Sequence, residues 1–353
     1  MSVASLVVGS RRIGAGAPVF VVAEAGVNHN GDMALARGLV DAAVGAGADA
    51  VKFQTFRTDA LVSASAAKAA YQRETTGDAG GQREMLARLE LGVDQHAELS
   101  AHCAARGIVF FSALFDDPSA DMLEALGVAL LKVPSGELTN LPLLRRIAPK
   151  GRPLILSTGM STLDEVAAAV AAIREAGDPP LALLHCLSAY PAPAAEMNLR
   201  AMDTLRERFG LPVGLSDHTL GIEIAVAAAA RGAAIIEKHL TLDTGLPGPD
   251  HRASLDPGEF AAMVRAIRSV EAALGDGRKR PMPSEADTRR AARKSLVAAR
   301  DLRAGERLTA DAVAIKRPGT GISPAELEQA LGRRLVRDVA EDEVLGWEVL
   351  GAP

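Results

Sequence analysis

Two histidines close apolar runs in the same way. Ser216-Asp217-His218 ends "LPVGLSDH", and Glu237-Lys238-His239 follows "AAII" in "AAIIEKHL". Residues two apart on a strand share a face. Ser216 and His218 therefore point one way with Asp217 opposed, and Glu237 and His239 one way with Lys238 opposed. Two imidazoles at neighbouring strand ends suit a divalent metal in an open site, with water or substrate filling the other positions. With so few protein ligands, Mn²⁺ or Mg²⁺ fits better than structural Zn²⁺, which takes a closed tetrahedral set. Glu237 could be a ligand, a hydrogen-bonding partner of one, or a base. Lys52 and Gln54 share a face in "DAVKFQT", and Lys132 lies in "ALLKVPSG". With Ser135, Ser157, Ser188 and Ser216 they offer charge and hydroxyl hydrogen bonds to a phosphate or carboxylate. A lysine Schiff base is the competing use, but the histidine pair favours polarising a carbonyl with a metal instead.

These residues sit at the ends of eight apolar runs, 18–26, 49–55, 107–114, 129–136, 153–159, 181–188, 211–217 and 233–240. Each run has strand length and is rich in Val, Ile, Leu or Phe. Helix-like segments separate them. "DMALARGLVDAAVGAGA" offers Asp32 as a cap, and "STLDEVAAAVAAIREAG" offers Ser161, with acids in its first turn and Gly177 past its end. Apolar strands alternating with helices predict a covered parallel sheet, and eight units close a (β/α)₈ TIM barrel. An open doubly wound sheet is the alternative. It would gather ligand groups mainly near one switch point, whereas here nearly every run turns polar at its end, starting with Glu24 in the first. In a barrel those ends meet on one rim, where active sites of this architecture lie.

The chain has 353 residues, enough for two domains, with 48% apolar and 3% aromatic residues. Its net charge of −5 carries no basic block, so nucleic acid is not an expected partner. No apolar run has the length to cross a bilayer, and the N-terminus lacks a signal-peptide pattern. Cys103 and Cys186 are too few for a disulfide framework, which suits a reduced cytoplasm. We read residues 1–275 as the barrel, 276–292 as a charged, proline-containing linker, and 293–353 as a small, mainly β domain that docks on a barrel. Two rim loops, "GVNHNGD" and "TGLPGPDHRAS", bring Asn28, His29, Asn30, Asp250 and His251 as specificity residues or as turns and caps. The "GTG" at 319–321 is a weak phosphate-loop pattern.

From end to end, "AEAGVNHNGD", "VKFQTF", "LKVPSGE", "ILSTGM", "LHCLSAYPAP", "GLSDHT", "IIEKHLTLD", "PGPDH" and "KRPGTGISP" follow one another in an order that resembles the sialic acid synthase family. That resemblance implies a TIM barrel followed by an antifreeze-like (SAF) domain in a domain-swapped homodimer. It implies condensation of phosphoenolpyruvate with an N-acylated aldose. It places the metal on His218 and His239, and phosphoenolpyruvate near Lys52, Lys132, Ser135, Ser157, Ser188 and Ser216. It places the sugar near Gln54, Glu137, Tyr190 and Asp250. Glu24 and Glu237 fall where the family keeps carboxylates close to the reacting atoms, and Arg317 matches an arginine that crosses the dimer to the N-acyl group. Three departures stand out. Ala113 replaces a hydroxyl residue, Ser188 stands where some relatives have Asn, and "AEAG" replaces "AEIG". The expected aldose is N-acetylmannosamine, giving N-acetylneuraminate and phosphate. The alternatives are a legionaminate or pseudaminate synthase acting on a 2,4-diacetamido hexose, a metal-dependent pyruvate aldolase, and a sugar-binding barrel without turnover.

Overall fold

The computed structural model describes residues 5–76 and 80–352. The chain divides into two compact units, one ending at Gly275 and the other beginning at Asp276. In the first, strands β1 (Ser5–Val8) and β2 (Arg11–Gly14) form an antiparallel hairpin. Eight parallel strands follow: β3 (Phe20–Gly26), β4 (Ala50–Thr55), β5 (Val109–Leu114), β6 (Leu131–Val133), β7 (Leu154–Ser157), β8 (Leu181–Cys186), β9 (Val213–Asp217) and β10 (Ile235–His239). They close into a barrel through β10 beside β3, where His239 pairs with Glu24 and Ile235 with Phe20. Each of the eight apolar runs becomes one of these strands.

The barrel has two apolar layers. Outward-facing strand residues and the surrounding helices share one core, which includes Val21, Val51, Leu156, Leu215 and Ile236. Inward-facing Phe20, Val22, Phe111, Leu130, Ile155, Leu184 and Ile235 form another with Leu6, Val8 and Ile13 of the hairpin. The hairpin thus packs on the strand starts, opposite the polar strand ends. Nothing in the sequence reading assigned it. A side chain at Gly214 would bring its Cβ within 2.3 Å of the Ile235 carbonyl oxygen, so glycine permits β9 and β10 to lie this close.

Helix punctuation follows capping chemistry with one correction. Asp32 caps the helix Met33–Ala46 by accepting from the amides of Ala34 and Leu35. Ser161 does not cap the helix Leu163–Ala176. Thr162 does, because it lies three residues before Glu165 and the two form a reciprocal capping box, while the Ser161 hydroxyl bonds the Gly159 carbonyl. On the outer barrel face, Lys238 and Asp217 form a 2.7 Å ion pair, and both are fully buried. Lys238 also donates to the Thr219 carbonyl, so the residues opposed to the two histidines tie the ends of β9 and β10 together.

The second unit carries β11 (Ser295–Ala298) paired with β12 (Val313–Lys316) and several isolated antiparallel bridges around a core of Leu296, Leu302, Leu308, Leu335, Val339 and Leu345. Within 276–292, the segment read as a linker, there is a helix, Ala286–Ala292. Packing accounts for the "GTG" glycines. A Cβ on Gly319 would meet the Arg293 Cβ at 2.5 Å, and one on Gly321 the Leu345 carbonyl oxygen at 2.4 Å. Among the described residues no helix is long and apolar enough to cross a membrane.

Candidate active site

The strand ends surround a cavity of about 550 Å³. Glu24, Lys52, Gln54, Lys132, Ser135, Glu137, Ser157, Ser188, Tyr190, Ser216, His218, Glu237, His239 and Asp250 all line it. Arg317 belongs to the second unit, where it is exposed just past β12.

Four charged side chains from four strands meet at the inner end. Lys52 Nζ lies 3.0 Å from Glu24 and 3.4 Å from Glu237, and Lys132 Nζ lies 3.9 Å from Glu237. Lys132 donates to Ser157 Oγ at 2.7 Å, Ser216 to Glu237 at 3.0 Å, and Gln54 to Glu24 at 3.1 Å. All four charged groups are buried, so desolvation competes with Coulomb attraction at each. Burial pushes the Glu24 carboxyl up to about 7; Lys52 pulls the other way, and Glu237 adds to the rise. Burial also works against ionised Glu237, but Lys132, Lys52 and the Ser216 hydrogen bond outweigh it and hold this carboxyl low. The lysines diverge for a geometric reason. Burial disfavours charge on both, but Lys52 has two close carboxylates that keep it raised, whereas Lys132 has one at longer range, feels Lys52, and falls to about 8. The result is a firmly ionised Lys52–Glu237 pair with Glu24 and Lys132 titrating around neutrality. Its two lysine side chains, with serine hydroxyls beside them, suit an anion.

Gly159 organises the neighbouring wall. Its amide donates to Ser135 Oγ at 3.0 Å. A Cβ there would lie 2.8 Å from Ser135 Oγ and 2.4 Å from Ser188 Oγ, so both hydroxyls converge on bare backbone. Glu137, in the short turn Ser135–Glu137, accepts from Asn140 at 2.8 Å. Ala113 also lines the cavity, where a hydroxyl would otherwise stand.

The imidazole centroids of His218 and His239 are 5.4 Å apart. His218 Nδ1 lies 2.8 Å from the Leu187 carbonyl oxygen, so that nitrogen carries a proton and Nε2 is the lone-pair nitrogen of the neutral ring. Burial favours that neutral ring, while Cys186, the Leu187 carbonyl and Glu237 outweigh it and raise the imidazole. His239 Nδ1 is buried with no hydrogen-bond partner, and Asp250 Oδ2 is 4.0 Å away. Burial and nearby His218 hold His239 neutral, and burial raises the Asp250 carboxyl to about 6. Available imidazole lone pairs and an unpartnered buried nitrogen fit a divalent cation. Among the described residues no third His, Cys, Asp or Glu completes a metal-binding cluster, so the protein offers an open, two-imidazole set.

The rim loops act mainly on each other. Asn28 donates to the Leu240 carbonyl and to Ser254, Asn30 to the Pro247 carbonyl, and His251 bonds Thr241 at 2.7 Å. These bonds fasten the loop that carries Asp250, while Asn28, His29, Asn30 and His251 do not line the cavity. The sequence reading missed Cys186, whose Sγ lies 3.9 Å from His218 Nδ1, and Tyr71, whose ring stacks on Tyr190 at 5.0 Å. Tyr71 sits on the helix Ala70–Thr76, in an excursion that also supplies Leu61, Val62, Met85, Leu86 and Leu89 to the cavity. A signal existed: residues 56–106 separate the second and third apolar runs, more than one crossover helix requires.

Residues 39–279 match the NeuB family, and residues 293–350 match the SAF domain. The chain is 47% identical over 337 residues to an N,N'-diacetyllegionaminic acid synthase of Legionella pneumophila, covering 94% of this chain and 95% of that one. It is 35% identical to an N-acetylneuraminate-9-phosphate synthase of Mus musculus, covering 95% and 93%. The crystal structure of an N-acetylneuraminic acid synthetase from Leptospira borgpetersenii superposes with a TM-score of 0.71 at 36% identity, covering 80% of this chain and 94% of that one.

Proposed function

Because the chain belongs to the NeuB family, the sialic acid-type synthases, we propose that it joins phosphoenolpyruvate to an N-acylated aldose, releasing a nine-carbon acidic sugar and phosphate. The observation that carries this reading is the buried cluster of Lys52, Glu24, Glu237 and Lys132 directly beside the histidine pair. Lys52, Lys132 and the hydroxyls of Ser157 and Ser216 hold the phosphate and carboxylate of phosphoenolpyruvate in register, so orientation supplies much of the rate. His218 and His239 would hold a divalent cation, Mn²⁺ or Mg²⁺, whose chemistry is to polarise the aldehyde oxygen. The methylene carbon of the enol phosphate attacks the aldehyde carbon, water adds at the adjacent carbon, and the proton that water loses balances the one the former aldehyde oxygen takes up as it becomes a hydroxyl. Glu24, with its carboxyl near 7, accepts the water proton, while Glu237 stays ionised as the anchor of both lysines. The tetrahedral intermediate then expels phosphate by C–O cleavage.

The relatives favour a 2,4-diacetamido hexose over N-acetylmannosamine, since the legionaminic acid synthase is 47% identical and the N-acetylneuraminate-9-phosphate synthase 35%. Arg317 of a second copy is assigned to the sugar's N-acyl group, in a domain-swapped homodimer. The test is phosphate release with each aldose. It should require both substrates, and oxygen-18 in the C–O bridge of phosphoenolpyruvate should leave with the phosphate. Consumption of pyruvate without phosphate release would instead establish an aldolase.

A further inference from the structure

A second cavity, of about 400 Å³, lies wholly within the second unit, between the stretch 279–281 and the helix Ala286–Ala292. Lys279, Arg280, Glu285, Thr288, Arg289 and Arg293 line it. Residues 276–294 carry seven Lys and Arg against three Asp and Glu, in a chain whose net charge is −5. Two of those acids are already engaged. Asp276 pairs with Arg280 at 2.8 Å and accepts from the Arg278 amide. Glu285, the one carboxylate lining the cavity among the described residues, accepts from the Met282 amide at 2.7 Å. The third acid, Asp287, does not line the cavity. Among the described residues Lys279, Arg289 and Arg293 have no ion-pair partner.

The backbone beneath the two arginines is fixed. They lie one helical turn apart, at the end of the helix. Gly319 donates its amide to the Arg290 carbonyl at 2.7 Å, and the Arg293 amide donates to the Arg289 carbonyl at 3.2 Å. Two carbonyls that could have drawn the guanidinium groups back onto the helix end thus already have donors.

We propose that this cavity binds a compact polyphosphate anion, with the guanidinium groups of Arg289 and Arg293 and the ammonium of Lys279 on its phosphate oxygens. A guanidinium presents paired N–H donors that match phosphate oxygens, and lysine adds a point charge. Thr288 contributes a hydroxyl donor. Three unmatched cations around one space repel one another, and a ligand with two or more negative charges relieves that repulsion. The rest of the lining, Pro281 and Ala292, has no ring on which a base could stack, so phosphate groups alone carry the recognition. Lys279 and Arg293 are fourteen residues apart, and the chain brings them together only by turning into the helix. The site is independent of the synthase reading.

The test uses pyrophosphate with the full chain at low ionic strength, where exposed charges are least screened. Lys279 and Lys294 are both exposed, and of the two only Lys279 lines the cavity. Acetylation of each by an amine-reactive ester, read by peptide mass spectrometry, reports this site separately from any anion bound at Lys52 and Lys132. Saturating pyrophosphate should lower acetylation of Lys279 at least about five-fold and that of Lys294 less than about two-fold. The concentration that half-protects Lys279 should rise at least about ten-fold in Arg289→Gln, for the loss of one charge-assisted phosphate contact. Arg293→Gln should act in the same direction, so the comparison survives if one variant fails to fold. Orthophosphate, with fewer charges, should need about ten-fold more than pyrophosphate. Equal protection of the two lysines would be diffuse screening and overturns the proposal. So does an unchanged midpoint in a folded arginine variant, or no protection of Lys279 at any pyrophosphate concentration.

Discussion

Replacing Glu24 with Gln should make the enzyme more stable and nearly inactive, and the stability gain should depend on pH. Burial raises this carboxyl from 4.5 to about 7 even with Lys52 at 3.0 Å. At about 1.4 kcal/mol per pKa unit, that difference corresponds to about 3 kcal/mol. A raised carboxyl means the folded state holds its proton more tightly than the unfolded chain. The stability this provides is fully present below about pH 4.5 and is lost as pH rises through about 7. Gln preserves the side chain's size and mimics the protonated form at every pH. At pH 8.5 the variant should therefore exceed the parent by about 3 kcal/mol, and at pH 5 by less than about 1 kcal/mol. Urea unfolding followed by circular dichroism at the two pH values measures both differences. Loss of the general base should lower kcat by about 10²–10⁴-fold in the same preparation. A Glu24→Gln protein that is less stable than the parent at pH 8.5, or shifted equally at both pH values, would show that the ion pair outweighs burial and refute the argument.

Three further outcomes are expected. Lys238→Met should destabilise the barrel by about 3–5 kcal/mol by stranding buried Asp217, while the Lys238→Met, Asp217→Leu double variant should recover most of it; thermal denaturation compares them, and equal losses would mean the pair is not coupled. Mn²⁺ added alone to chelator-treated protein should give calorimetric heat that His239→Ala abolishes, and chelation should stop turnover until Mn²⁺ is restored; full activity under chelation would remove the metal from the reaction. Arg317→Ala should raise KM for the aldose at unchanged Tm, and unchanged sugar kinetics would count against its action across a dimer.

Periodicity carried much of this protein's design. Strand alternation alone separated Glu237 and His239 from Lys238, and Ser216 and His218 from Asp217. The structure has the first set on the cavity and the second as an ion pair behind it. The eight-unit rhythm implied a covered parallel sheet, and the polar end of nearly every run favoured the closed barrel over an open sheet. Other features had no such local imprint. The hairpin of β1 and β2 consists of two four-residue strands that gain their stability from the barrel floor. Tyr71 reaches the site only because a long excursion folds back over the rim. Glu24 and Glu237 are the same kind of residue at two strand ends, yet one carboxyl rises to about 7 and the other is held low. That difference depends on desolvation and on distances of 3–4 Å to lysines contributed by other strands. Side-chain alternation is a property of consecutive bonds, so it can be read along the chain. Ionisation in a buried cluster is set by through-space neighbours, so it exists only once the barrel has closed.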